Sequence, residues 1–366
     1  MTGNNRSENL VSPPVRHDQV RRCFQSAGYV FAKHATEVMK EHGITRVARL
    51  ASNENPEPPS VDAIKEGTRL ITQANRYPDE NQLSLVEALV NRYGDYHFVT
   101  GVGMDGIIET TIRTLAEPTD LVVVSTPTFS FYRLSAIAHG AGVEEVTRDL
   151  DYSVDPEPFI DACEEAKLAF LCSPNNPTGN ATPVQTIKKI LNRIDCVLFL
   201  DNAYVEFSDS DYLLLMKDHE NLIIGRTFSK AYSLAGLRVG YAFVPRWFKP
   251  YYLRASTPHA LNSVSAAAAA IALLDHDHVK RAKDRAVRWR KEYMNRVKLP
   301  VYSSDANFVM VDVGPHTSEE AVEKMASMGV LVRSCRSFRG LPDHFVRVSI
   351  GDDWENEMCI EALNSL

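Results

Sequence analysis

The chain has 366 residues, 44% of them apolar and 24% charged, a composition that supports a large folded core with room for a second lobe. A formal charge of -7 argues against a nucleic-acid partner, whose binding face shows as a basic excess. No apolar run approaches the roughly 20 residues a membrane span needs, the N-terminus carries no hydrophobic signal core, and none of the six cysteines stands in a C-x-x-C pair, so the expected setting is the cytoplasm.

Residues 1 to about 18 are polar and proline-bearing and read as a mobile arm able to reach a partner subunit. From Val20 to His42 apolar and charged residues alternate in a roughly helical rhythm. After Leu50 short apolar runs alternate with helical segments, the pattern of repeated βαβ units around a largely parallel sheet. Candidate strands lie at 121–125 (LVVVS), 168–172 (LAFLC), 196–200 (CVLFL), 222–225 (LIIG) and 239–244 (VGYAFV). Their near-continuous apolar character fits strands covered by helices on both faces. Beyond 261 an alanine-rich helical stretch and the basic segment 278–297 lead into strands at 307–313, 329–334 and 345–351, with a helix between the first two. The expected division is an N-terminal arm and helix at 1–47, a large domain at 48–260 and a smaller α/β domain at 261–366.

The residues just past each strand carry the chemistry. LVVVS runs into Thr126-Pro127-Thr128-Phe129, LAFLC into SPNNPTG, CVLFL into DNAYVEF and LIIG into RTFSK. Ligands of open α/β sheets bind outside the carboxyl ends of the strands, so four polar or aromatic groups converge on one edge. Asp201 alone fits a helix cap or a strand-end turn equally well. With Tyr204 three residues on and the isolated Lys230 one strand later, it fits a second reading. A carboxylate for a heterocyclic cation, a phenol and a Schiff-base lysine together match pyridoxal 5'-phosphate (PLP). Thr227, Ser229 and Arg238, together with the glycine-rich turn at 101–106 that opens a helix, suit its phosphate. Asn176 in SPNNPTG can donate to the phenolate oxygen of the cofactor, and Phe129 can stack on its ring.

These motifs, with LASNENPEPPS (50–60), RYPD (76–79), RTFSKAYSLAGLRVGY and FVRVSIG, resemble the fold-type I PLP-dependent aminotransferases, and within them the histidinol-phosphate aminotransferases, from about Arg49 to the C-terminus. The resemblance implies a large domain with a mostly parallel seven-stranded sheet between helices, and a smaller α/β C-terminal domain. It implies Lys230 as the Schiff-base lysine, Asp201 as partner of the pyridine nitrogen, and Asn176 and Tyr204 at the ring oxygen. Thr227, Ser229, Arg238 and the backbone at Met104 and Asp105 would hold the phosphate. Tyr77 would reach the cofactor of a second subunit, implying a homodimer with shared sites. Arg347 and Arg333 would bind substrate anions, with Asn53 and Tyr29 beside them. The implied substrates are a phosphorylated amine and glutamate with 2-oxoglutarate.

Two places depart from the family pattern. Glu57-Pro58 stands where relatives often carry tyrosine-glycine, and Tyr29-Val30-Phe31-Ala32 replaces a tyrosine-proline-glycine element; both are expected near the substrate entrance. Rival readings are an aromatic or broad-specificity aminotransferase, a PLP decarboxylase acting on threonine phosphate, and a non-catalytic PLP-fold regulator. His276 and His278 read as a solvated helix start rather than a metal site, and the basic helix after them as a solvated face with Trp289 turned inward. No metal is expected.

Overall fold

A computed structural model describes residues 19–25 and 28–366, so the expected arm at 1–18 lies outside the described residues. The helical rhythm read from Val20 onward gives a single 3-10 turn at Arg22–Phe24 and an α-helix only at α1 (Ala35–His42), opened by a capping box between His34 and Glu37. Ahead of it Tyr29 and Phe31 face a central cavity instead of a helix core. A short strand, β1 (Ala48–Arg49), follows.

The large lobe then runs in chain order through α2 (Val61–Ile71), α3 (Leu83–Tyr93), β2 (His97–Val102), α4 (Gly103–Leu115), β3 (Leu121–Thr126), α5 (Phe131–His139), β4 (Gly142–Thr147), α6 (Pro156–Ala162), β5 (Ala166–Cys172), α7 (Val184–Leu191), β6 (Val197–Asp201), β7 (Leu222–Thr227), β8 (Val239–Val244), α8 (Lys249–Ala255), α9 (Ser263–Ala272) and α10 (His276–Arg296). Seven strands form one sheet in the order β2-β8-β7-β6-β5-β3-β4, all parallel except β8, which runs against both neighbours. Five of the seven coincide with the apolar runs read from the sequence. The other two, β2 and β4, are the sheet's edges. An edge strand lacks a neighbour on one side and needs no unbroken apolar run, and β4, with Glu144 and Glu145, is partly exposed throughout.

Strand register puts the expected site residues on one edge. Val102 pairs with Val239, Thr227 with Gly240, Asp201 with Gly225 and Cys172 with Asp201. The ends of β2, β5, β6 and β7 and the start of β8 therefore lie side by side. Strands β6, β7 and β8 are buried along their whole length, which fixes that register, because a slip of one residue would turn each side chain to the other face.

The second lobe contains β9 (Val301–Tyr302), β10 (Phe308–Asp312), α11 (Ser318–Ser327), β11 (Val330–Leu331), β12 (Arg333–Ser334), β13 (Phe345–Ser349) and α12 (Asp353–Leu363). Four of its strands form an antiparallel sheet in the order β12-β13-β10-β9. The single strand read at 329–334 divides in two. Its first half pairs with β1 and its second with β13, so the chain changes partner at Val332. Ala48 and Leu50 consequently belong to the second core, with Trp289, Tyr293 and Val309. Five of the six alanines of α9, beyond the expected boundary at 260, lie in the first core. Helix α10 spans both cores, with Ala282 and Ala286 in the first and Trp289 and Tyr293 in the second.

Candidate active site

A cavity of about 500 Å³ opens at the shared strand edge, between the two lobes. Its lining includes Lys230, Asp201, Tyr204, Asn176, Met104, Asp105, Phe129, Thr227, Ser229 and Arg238 from the large lobe, Arg333 and Arg347 from the second, and Tyr29 and Asn53 from the N-terminal segments. Of the sequence-expected site residues only Tyr77 stands elsewhere. It is 85% exposed and stacks on His259, with ring centroids 4.8 Å apart.

One end of the cavity is built for an anion. Gly103 opens α4 with φ +67°, and its N–H donates to the Arg238 carbonyl (2.9 Å). A Cβ on Gly103 would lie 2.7 Å from Arg238 Nη2, and one on Gly240 would lie 2.6 Å from the Gly103 backbone, so both glycines are required for this close approach. The first N–H groups of α4 thus stay beside the Arg238 guanidinium, which also meets Asp105 Oδ2 at 2.6 Å. Across the register Thr227 Oγ1 accepts from the Ser229 N–H (3.1 Å), placing two hydroxyls at the same end.

The other end holds a buried acid. Asp201 Oδ1 accepts the Ala203 N–H (2.9 Å), and Oδ2 accepts the Tyr132 hydroxyl (2.6 Å). Burial pushes this carboxyl up to about 6, although both donors pull it down. Tyr132, stacked on Phe170 at 4.8 Å, is a site residue that sequence reasoning missed. Its only local signal is an aromatic in the first turn of α5.

The amine lines the same cavity. Lys230 Nζ donates to the Ser52 carbonyl (2.9 Å), and burial, followed by the positive charge of Arg347, pushes its ammonium down to about 8. Asn53, at φ +53°, donates from Nδ2 to the Tyr204 hydroxyl (3.0 Å) and is itself held by Ser349 Oγ and Asn307. Asn53 therefore positions Tyr204 as well as lining the cavity. Ser52 lies within the LASNENPEPPS motif, but its side chain gives no sign of its role, because it acts through its backbone oxygen.

On the second lobe Arg347 and Arg333 lie directly opposite across β13 and β12. Arg347 donates to Asn176 Oδ1 (2.5 Å) and to the Ala51 carbonyl (2.6 Å), leaving its buried Nε without a partner. This bond makes Nδ2 the available donor of Asn176. Arg333 sits 5.7 Å from the Tyr29 ring, and burial holds its guanidinium below the usual range. Two buried arginines with an unspent donor and no facing carboxylate bond suit an anionic substrate group.

The sequence model of aminotransferase class I and II matches residues 45–363. The chain belongs to this aminotransferase family. A histidinol-phosphate aminotransferase of Methanoculleus marisnigri is 59% identical over 348 residues, covering 95% of this chain and 99% of the relative. A second, from Methanosphaerula palustris, is 54% identical over 341 residues, 93% of this chain and 96% of its own. Among solved structures, a histidinol-phosphate aminotransferase from Sinorhizobium meliloti in complex with pyridoxal-5'-phosphate superposes with a TM-score of 0.85 at 25% identity, covering 95% of this chain and 97% of that one.

The aminotransferase site corrects three expectations. Glu57 does not line the cavity but turns toward α10, whereas Tyr29, Phe31 and Ala32 do line it. His278 is 2% exposed and meets Ser233 Oγ at 3.0 Å, so it is not part of a solvated helix start. The basic helix keeps Trp289 inward as expected, yet Arg281 and Arg285 face Glu57 rather than solvent alone. Among the described residues the grouped metal-type side chains are Glu41, His42 and Glu323, none of them in the cavity lining, and both carboxylates pair with Lys33.

Proposed function

We propose that this aminotransferase interconverts L-histidinol phosphate and 2-oxoglutarate with imidazole-acetol phosphate and L-glutamate. The observation that carries the reading is the set of groups lining one cavity: an anion-binding cluster, a buried acid, an amine and two arginines. The residues fit PLP, whose phosphate, pyridine nitrogen and aldehyde call for the first three of these groups. When bound, PLP supplies an aldehyde for the amine and a ring that accepts electrons.

The chain's own residues do the rest. Arg238, Thr227, Ser229 and the start of α4 bind phosphate. Asp201 stays ionised against a cationic ring nitrogen, an interaction that brings its carboxyl down from about 6. Tyr204, fixed by Asn53, and Asn176, fixed by Arg347, present donors to the ring oxygen. Lys230 Nζ, pushed down to about 8, is uncharged in a useful fraction near neutrality. It would be the amine held at the PLP aldehyde, and once the substrate's own amine replaces it, the freed Nζ would take the proton from the amine-bearing carbon of the substrate. Arg347 and Arg333 hold the phosphate of one substrate or the carboxylate of the other. Phe129 and Tyr29, 6.0 Å apart edge to face, wall the cavity from water.

We place the enzyme in the cytoplasm as a homodimer in which the partner's copy of the exposed Tyr77 completes each site. Cys163, Cys172, Cys196, Cys335 and Cys359 are buried thiols, which accords with a reducing compartment. No helix among the described residues is long and apolar enough to cross a membrane.

Single-turnover absorbance on PLP-loaded protein, with no oxo acid present, tests the reaction. L-histidinol phosphate should convert the cofactor to its amine form far faster than L-phenylalanine or O-phosphothreonine. Faster conversion by phenylalanine would move the enzyme to general amino-acid transamination. Carbon dioxide release from O-phosphothreonine would favour the decarboxylase.

A further inference from the structure

Glu57 sits on the irregular segment between β1 and α2, and its carboxylate is only 21% exposed. Oε1 accepts from Arg281 Nε (3.0 Å) and Nη2 (2.7 Å), Oε2 lies 3.5 Å from Arg285 Nη2, and His278 Nδ1 is 3.7 Å from Oε1. Positions 278, 281 and 285 share one face of α10, so a single carboxylate meets three basic groups. Burial pushes the Glu57 carboxyl up, but Arg281, His278 and Arg285 outweigh it and hold it below the usual range.

The same helix face also holds the lysine loop. Arg285 Nη1 donates to Asn55 Oδ1 (3.1 Å), and Asn55 Nδ2 donates to the Ala231 carbonyl (3.2 Å). His278 Nε2 lies 3.0 Å from the hydroxyl of Ser233, a residue kept at φ +59°. Glu57 and Asn55 thus end a short segment whose beginning meets the reacting groups, through Ser52 at Lys230 Nζ and Asn53 at Tyr204.

We infer that Glu57 is a positioning residue for the reaction, fastening residues 52–57 and the Lys230 loop to one face of α10 through Arg281, Arg285 and His278. The role rests on the reading of Lys230 as the catalytic lysine. Without the carboxylate, Arg281 and Arg285 face each other with no acid between them, and the segment loses its hold at the end opposite Ser52 and Asn53. Lys230 and Tyr204 then lose fixed partners while the groups that bind phosphate, Arg238 and the start of α4, are untouched.

Hydrogen exchange on the PLP-loaded enzyme tests this without turnover. In Glu57→Ala, amides of both 51–58 and 230–237 should exchange about tenfold faster, the change expected when a charged hydrogen bond holding a local unit is lost. Arg281→Ala, whose side chain is half exposed, should do the same to a smaller degree, and it decides the matter if Glu57→Ala does not fold. Turnover of Glu57→Ala should fall about tenfold with KM within about twofold, and the same substitution on an Asn53→Ala background should cost less than about twofold, because the two act in series. Faster exchange confined to 51–58, or losses that simply multiply, would reduce Glu57 to a local ion pair and overturn the proposal. If the unaltered protein fails to transaminate yet both peptides respond together, the functional reading fails and only the fastening of the two segments to α10 stands.

Discussion

Asp201 and Glu57 are carboxylates that the fold treats in opposite ways. Asp201 ends a strand buried along its length, and burial pushes it up to about 6; Glu57 rides an irregular segment, and three basic side chains on α10 pull it down. The first belongs to the cavity floor, where backbone ladders fix each residue. The second belongs to the rim, where side-chain bonds between distant segments do that work. Floor residues therefore keep their places when a single side chain is changed, so their substitution reports lost chemistry. Rim substitutions instead report lost position.

The largest effect should come from the reacting amine, on the loop that follows floor strand β7. Lys230→Ala should lower turnover by on the order of 10⁴-fold, the scale of a lost proton-transfer group, while PLP still binds at the phosphate end. Retained turnover would remove the lysine from the mechanism. Asp201→Asn should cost on the order of 10²-fold, the scale of one lost charge-stabilising partner, with thermal stability little changed because the strand ladder persists. A loss as small as that of a rim variant would erase the contrast between the two regions.

Arg347→Ala takes the comparison to the second lobe. It removes donors from Asn176 and from the substrate anion, so KM for glutamate should rise about tenfold or more while PLP stays bound, which steady-state kinetics can read. The smallest effect belongs to Tyr132→Phe. The Tyr132 hydroxyl pulls the Asp201 carboxyl down, so its loss should raise that carboxyl further. Activity should then fall by roughly tenfold at pH 6 but by roughly twofold or less at pH 8, seen as an acid limb moved to higher pH. Equal losses at both pH values would make Tyr132 a packing residue.

The same contrast decides what could be read from the sequence. Asp201, Thr227 and Lys230 each come closely after a run of buried apolar residues, so the strand and its functional end are written together. The edge strands β2 and β4 escaped notice because half-exposed strands carry a weaker apolar pattern. Tyr132 gives no warning of its role, since its partner lies 69 residues away, joined only by the folded sheet. His278 stands among charged residues that resemble a solvated helix start, and the groups that meet it, Ser233 of the lysine loop and Glu57, come from distant parts of the chain. Glu57 was legible as a departure from the family pattern, but not the direction it faces. That direction is set by α10, more than 200 residues later.

The central claim is that the strand edge delivers Lys230, and no other lysine, to the cofactor. Borohydride trapping of PLP on the protein, with mass mapping of the pyridoxyl-bearing peptide, tests it directly. The label should fall on the peptide containing Lys230 alone and disappear in Lys230→Ala. A label on another lysine, or none on a protein that still transaminates, would contradict the account.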